Sequence, residues 1–342
     1  MNDIAELKQF ITVHAKAQNL PQELYEGVLE RVSHDGRGPG SWAHEWSAAA
    51  ERLQGDDSQL LLAFLCHNMA RFPFVDGPAR QDAEAARLAV FERWRQSQKD
   101  VEPVHVALAG GEFTAWASGL DTAASKPLLV VMGGIVSTKE QWAPILLQAE
   151  LLGMAMVVTE LPGVGGNTLP YDVDGWRMLP ALLDAVADRA DVSRTYAVAN
   201  SFSGHLALRA ATRDERLRGI VTTGAPVSDF FTDAAWQGQL PRITVDTLVR
   251  LTGAAPGRLH EVLRAWALTD AELSGLEIPV AYTASLRDEI IPAGDVDALK
   301  KHVRGLSLNE FDDVHASPAH VEQTMQWTVE SLIKMLADPA SA

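Results

Sequence analysis

Beyond residue 100 the chain alternates between continuous apolar runs and amphipathic stretches, and this limits the folds open to it. The runs "KPLLVVMGGI", "MAMVVTELPGVGG", "TYAVANS", "LRGIVTTGAP", "IPVAYTASL" and "LSLNEFDD" are short and end on turn-forming or polar residues. Between them, "WAPILLQAELLG", "DGWRMLPALLDAVADR" and "GHLALRAATR" repeat apolar residues at helical spacing, and "PAHVEQTMQWTVESLIKMLA" closes the chain the same way. A strand without a polar face is buried on both sides, and parallel neighbours need a crossover, usually a helix. The pattern predicts an α/β fold, a mostly parallel sheet flanked by helices. "VEPVHVALAGGEFTAWASGL" adds two strands around a Gly-Gly turn.

Two regions break the alternation. Residues 1–100 carry only helical patterns, such as "LPQELYEGVLERV" and "ARQDAEAARLAVFERWRQ", with "DGRGPGS" and "PFVDGPA" as loops, and are expected to form a helical N-terminal cap region. Residues 227–275 read as helices and loops with no strand. Such an insertion between strands lies where open α/β sheets bind ligands, so it is expected to be a helical lid. The sheet core then comprises residues 101–226 and 276–342.

A net charge of −16 repels phosphate backbones and argues against a nucleic-acid partner. The one cysteine, Cys66, lies in the apolar run "LLLAFLCHNMARF", which predicts a packed thiol and permits no internal disulfide. No apolar segment approaches ~20 residues, so no membrane span or membrane partner is expected. The N-terminus lacks a basic region followed by a continuous apolar stretch, so a cytoplasmic location is expected.

The strand-to-helix turn in "TYAVANSFSGHLALRAA" presents Ser201. Acyl transfer by serine requires a base, a carboxylate to orient it and donors for the oxyanion. The α/β-hydrolase order is Ser, then Asp or Glu, then His. The usual G-x-S-x-G appears here as Ala199-Asn200-Ser201-Phe202-Ser203, then Gly204; small residues keep the turn feasible. Ser203 is the rival nucleophile, disfavoured because His205, two residues on, is not small. Asp288, beside Glu289 in "PVAYTASLRDEIIP", is the candidate carboxylate; Asp295 and Asp297 are expected at the start of the next helix. In "DDVHASPAHVEQT", Ser317 and Pro318 read as an N-cap and first helical position. That places His320 in the first turn and leaves His315 in the loop as the candidate base. Without a third ligand at suitable spacing, no metal site is expected. The oxyanion donors are expected to be the backbone N–H groups of Phe202 and of Gly134 or Ile135 in "VVMGGIV". "ELPGVGGN" lacks the phosphate-loop ending and reads as structural.

The stretches "VVMGGIVSTKEQW", "ELPGVGG", "ANSFSGHLALRAA", "LRDEIIP" and "DDVHASP" resemble the serine α/β-hydrolases related to the fermentation/respiration switch protein. That group includes esterases, the carbon–carbon bond hydrolase acting on 2,6-dihydroxypseudooxynicotine, and fungal polyketide-shortening hydrolases. The resemblance extends over most of the chain, and "GG-x-x-S-T-K-E" is its most specific part. It implies an α/β-hydrolase core with a helical cap, no metal or other cofactor, and often a homodimer; the apolar faces of the N-terminal helices also hint at a dimer. It assigns the triad to Ser201, Asp288 and His315. Some carbon–carbon hydrolases carry glutamate where this chain has Val136, and its absence favours ester or thioester chemistry.

The expected function is a serine hydrolase acting on a small-molecule, mostly apolar acyl or aromatic substrate through an acyl-enzyme. The alternatives are retro-Claisen cleavage of a ketone, acyl transfer or cyclisation, and non-catalytic binding. Phe230, Phe231 and Trp236 in the lid, with Phe72 and Phe74, are candidates either for the pocket lining or for helix-packing core, and Val136 is a candidate for the pocket lining.

Overall fold

The computed structural model describes residues 2–255 and 257–337 of the 342. The chain divides into two compact units, Met1–Lys99 and Asp100–Ala342. No described helix is long and apolar enough to cross a membrane.

The first unit is helical. Helix Ile4–Ala17 buries Leu7, Ile11 and Ala15 on one stripe, and the Asp3 carboxylate caps it by accepting the N–H groups of Ala5 and Glu6. Helices Trp42–Leu53, Leu60–Ala70 and Pro78–Gln96 enclose Trp42, Trp46, Phe64 and Phe91. The Trp42 indole N–H donates to the Met69 carbonyl at 2.8 Å, so its buried polar atom is satisfied. Phe72 packs beside His14 and Trp42 within this unit. Cys66 is fully buried and its thiol pKa is pushed up to about 12 by desolvation, which leaves it unreactive at neutral pH.

The second unit is built on eight strands: β1 (Glu102–Leu108), β2 (Gly111–Ser118), β3 (Pro127–Met132), β4 (Ala155–Thr159), β5 (Asp191–Ala199), β6 (Leu217–Thr223), β7 (Val280–Ser285) and β8 (Leu306–Phe311). Their order in the sheet is β1-β2-β4-β3-β5-β6-β7-β8. β1 and β2 form an antiparallel hairpin, β2 pairs antiparallel with β4, and all later pairs are parallel. All of β4 and all but the first residue of β3 are buried, as expected of central strands covered on both faces. The order switches between β3 and β5, and the candidate site lies at that end of the sheet.

Between β6 and β7 the chain forms short helical pieces: Asp229–Thr232, Ala234–Gln237, Arg242–Thr252, Leu259–Leu263, Arg264–Trp266 and Asp270–Ser274. Two local expectations are corrected. "WAPILLQAELLG" was expected as one α-helix; the structure has a 3-10 segment, Lys139–Gln148, followed by a single α-turn, Ala149–Leu152. Pro144 lies inside it and supplies no N–H for an α-helical ladder. The last helix begins at Val321, not at Pro318. Ala316 and Ser317 adopt left-handed φ values of +65° and +50°, and the Ser317 hydroxyl pairs with Ser285 at 2.8 Å, so tertiary bonding overrides the local cap signal. His320 therefore precedes the helix, its carbonyl accepting the N–H of Thr324.

Candidate active site

β5 runs out at Ala199, and helix Phe202–Ala211 starts three residues later. Ser201 occupies the turn at φ +56°, ψ −130°, a conformation that costs a non-glycine residue about 1–3 kcal/mol. The surroundings hold it there. Its N–H donates to the Thr223 carbonyl at 2.8 Å, its carbonyl accepts from Gly204 at 2.8 Å, and Asn200 N–H donates to Met132 at 3.0 Å. The close approach of helix to sheet rests on Gly204, where a Cβ would collide with the Thr222 hydroxyl and the Ala225 methyl. The indispensable glycine is thus three residues after Ser201 and not two. Ser203, at the two-residue position, is fully buried and donates to the carbonyls of Asn200 at 2.9 Å and Met132 at 3.2 Å.

Three polar side chains meet at this turn. His315 Nε2 lies 3.4 Å from Ser201 Oγ, and His315 Nδ1 lies 3.0 and 2.9 Å from the two Asp288 oxygens. An ionised carboxylate only accepts, so Nδ1 carries the proton toward Asp288 and Nε2 is left as an acceptor for the serine hydroxyl. Asp288 Oδ1 also accepts the N–H groups of Ile290 and Ile291, each at 2.8 Å, which fixes the carboxylate at the end of β7. Burial alone lowers the His315 pKa, but the Asp288 charge and hydrogen bond, aided by the Glu289 charge, outweigh it and hold the pKa above 6.5. Glu289 also accepts the His315 backbone N–H at 3.0 Å, fixing the loop from a second side. His320 is engaged elsewhere, 3.3 Å from Asp313 and stacked on Phe311.

The turn after β3 faces Ser201. A Cβ at Gly134 would lie 3.2 Å from Ser201 Cβ and 3.6 Å from its Oγ, so glycine permits the approach. Gly134, Ile135 and Val136 are partly exposed. The N–H groups of Gly134 and Ile135 have no backbone acceptor among the described residues. Phe202, at the start of the helix, follows Ser201 directly.

Of the two readings of the lid aromatics, core packing is the one that Phe230 and Phe231 follow. Phe230 and Phe231 are fully buried. Phe230 makes edge-to-face contacts with Phe202 and Phe231, and Phe231 packs on His205 and Trp266. They form the apolar root of the insertion, because consecutive bulky aromatics leaving a central strand find the most area to bury there. They line no open surface. Trp236 is half-buried and donates its indole N–H to the Ile290 carbonyl at 2.8 Å.

Other polar residues that sequence reasoning left aside support this region. Asp295 is fully buried at the start of helix Ala293–His302, and its carboxylate accepts the N–H groups of Val227 (3.0 Å), Ser228 (2.7 Å) and Asp229 (2.6 Å) at the entrance to the insertion. Burial raises its pKa to about 6 against those bonds. Behind the β3 turn, Lys139, Glu140 and Glu160 form a buried ion cluster. Nothing local in "STKE" or "TELPG" marks these residues as buried.

The chain matches the family described as "Esterase FrsA-like" over residues 3–284. It is 24% identical over 278 residues to the Esterase FrsA of Vibrio vulnificus strain YJ016, covering 75% of this chain and 67% of that protein. Among solved structures it is similar to wild-type AbyA5, with 52% identity, a TM-score of 0.94 and coverage of 99% of this chain and 96% of that one. It shares the fold of 2,6-dihydroxy-pseudo-oxynicotine hydrolase, with a TM-score of 0.77 at 18% identity over 94% of this chain and 96% of that one.

Proposed function

The chain belongs to the FrsA-like esterase family, and from that premise we propose that it is a serine hydrolase cleaving an ester or thioester of a mostly apolar acyl group. The observation that carries the reading is the strained Ser201 with the His315 imidazole 3.4 Å from its hydroxyl and the Asp288 carboxylate behind that ring. In this reading Ser201 Oγ attacks the acyl carbonyl as its proton passes to His315 Nε2. The imidazolium so formed is stabilised by Asp288, and the carbonyl oxygen, now negative, is received by the N–H groups of Phe202 and Gly134 or Ile135. Collapse expels the leaving alkoxide or thiolate, which takes the proton from His315. A water, deprotonated by the same nitrogen, then attacks the acyl-enzyme and returns Ser201. The starting separation of 3.4 Å is that of a resting site, which tightens when substrate is bound. Ile135 and Val136, partly exposed in the turn whose Gly134 stands against Ser201, favour an apolar acyl group over a charged one.

The test is intact mass after treatment with a fluorophosphonate, for wild type and Ser201→Ala. A single adduct on wild type that is absent from the variant is the expected result. An adduct that survives in the variant overturns the assignment of Ser201, and no adduct on either protein refutes an activated serine.

A further inference from the structure

The oxyanion turn has an unusual anchor. Lys139, five residues after Gly134, is buried with Glu140 and Glu160. One Glu160 oxygen accepts the Lys139 backbone N–H at 2.9 Å; the other accepts the Lys139 ammonium at 2.7 Å and the Gly166 N–H at 2.8 Å. The ammonium also meets Glu140 at 3.0 Å, and Glu140 receives the Trp116 indole N–H from β2 at 3.4 Å. Glu160 therefore ties the exit of β4 to the exit of β3. The turn "ELPGVGG" is wrapped around its carboxylate: a Cβ at Gly165, whose φ is +55°, would run into it.

A shift at Lys139 reaches the site along a short path. Ser137 N–H donates to the Gly134 carbonyl at 3.0 Å, and the Ser137 side chain abuts Gly133 so closely that no Cβ fits there. Gly134 in turn stands against Ser201. Only Thr138 separates Lys139 from Ser137, whose N–H holds the Gly134 carbonyl. Burying two carboxylates and an ammonium for packing alone is a poor route to stability, since apolar residues of similar volume do as well. A carboxylate that must accept one particular backbone N–H has no apolar substitute.

We propose that Glu160, acting through Lys139, is a positioning residue that sets the Gly133–Ser137 turn for oxyanion binding. The proposal rests on the reading of Ser201 as the nucleophile. Glu160→Gln keeps the shape but offers one acceptor oxygen, so its amide must turn an N–H toward either Lys139 or Gly166. Loss of an oxyanion donor costs about 10²–10³ in kcat; displacing one by tenths of an ångström is expected to cost about 10–100-fold, with KM unchanged.

The experiment measures kcat and KM for Glu160→Gln and for the triple variant Lys139→Met/Glu140→Gln/Glu160→Gln on a p-nitrophenyl acyl ester and its thionoester. Glu160→Gln leaves the Lys139 ammonium paired with Glu140 at 3.0 Å, and the triple variant removes all three buried charges, so it carries the test when the single one does not fold. Sulfur is a weak acceptor and gains little from the oxyanion donors. A misplaced turn therefore lowers the ester rate more than the thionoester rate, and the ratio between them falls toward one. Equal loss on both substrates, or kcat within about threefold of wild type, overturns the positioning role while leaving the serine reading intact. A wild-type protein that neither cleaves the ester nor takes up a fluorophosphonate removes that reading and this inference with it.

Discussion

Replacing Ser201 by glycine should make the protein more stable while removing the proposed nucleophile. The serine sits at φ +56°, ψ −130°, held by the Thr223, Gly204 and Met132 backbone bonds around it. Those bonds involve only main-chain atoms, so they survive in Ser201→Gly. Relief of backbone strain contributes about 1–3 kcal/mol, and the extra freedom of glycine in the unfolded chain costs about 0.5–1 kcal/mol. The net gain is about 0–2.5 kcal/mol and near 1 kcal/mol at mid-range. At about 2–4 °C per kcal/mol for a unit of this size, Tm rises by about 2–4 °C at mid-range and by up to about 10 °C. Ser201→Ala is the control: it loses the same hydroxyl, whose one side-chain partner is His315 at 3.4 Å, but keeps the Cβ and the strain. Differential scanning calorimetry of the three proteins at one pH and scan rate separates the two effects. A Ser201→Gly protein no more stable than Ser201→Ala would show that the turn stores no strain, and the case for a purpose-built nucleophile position would lose its main physical support.

His315 must be neutral to accept the serine proton, and its pKa is held above 6.5 first of all against burial by Asp288; kcat/KM is therefore expected to fall as pH drops through that raised value. Asp288→Asn should move the limb to lower pH and reduce the plateau by about 10⁴-fold, whereas a limb that stays in place would mean that Asp288 does not set the imidazole. The same pairing contributes stability that is fully present below the ordinary histidine value and lost as pH rises through the folded-state one, so the Tm difference between wild type and Asp288→Asn should narrow across that interval. Gly224→Ala puts a methyl 2.8 Å from His315 Cε1 at a φ of +59°; a misplacement near 1 Å costs roughly 10²-fold, read as a fall in kcat on a p-nitrophenyl ester, and an unchanged kcat would show that the ring has room to yield. Asp295→Asn turns an amide N–H onto one of the backbone donors at the entrance to the insertion and should cost about 2–3 kcal/mol, seen in urea denaturation as a lower midpoint, while exposed Asp297→Asn two residues on stays within about 0.5 kcal/mol.

The strands were legible because central parallel strands are apolar on both faces, and "PLLVVM" or "AMVVT" can be little else in a chain with turns at these intervals. Ser201 was legible from its place after β5 among small residues, although the glycine that makes the turn possible proved to be Gly204, whose necessity comes from Thr222 and Ala225 on the next strand. Local signals failed where a distant partner took the group in question. Ser317 reads as a helix cap until Ser285 claims its hydroxyl. The helical spacing of "WAPILLQAELLG" drew attention from Pro144, which was itself the better guide. Phe230 and Phe231 have the composition of a pocket wall, and composition does not say which side of the insertion they face; it is the packing on Phe202, His205 and Trp266 that decides it.

Glu160 marks the deeper limit. In the sequence it is an acid following a strand and preceding Pro and Gly, the usual setting of a solvated loop residue. Lys139 and Glu140 likewise read as the polar edge of a turn. Their burial follows from the sheet order: β4 lies beside β3, so the loops leaving the two strands emerge together and their charges face each other instead of water. Once that order is known, an acid leaving one strand and a lysine leaving its parallel neighbour become a candidate tie between two loops at the ligand-binding end of the sheet. The pairing of strands therefore has to be settled before charged residues at strand ends are assigned to solvent, and in this chain that step converts three apparent surface charges into the support behind the turn that faces Ser201.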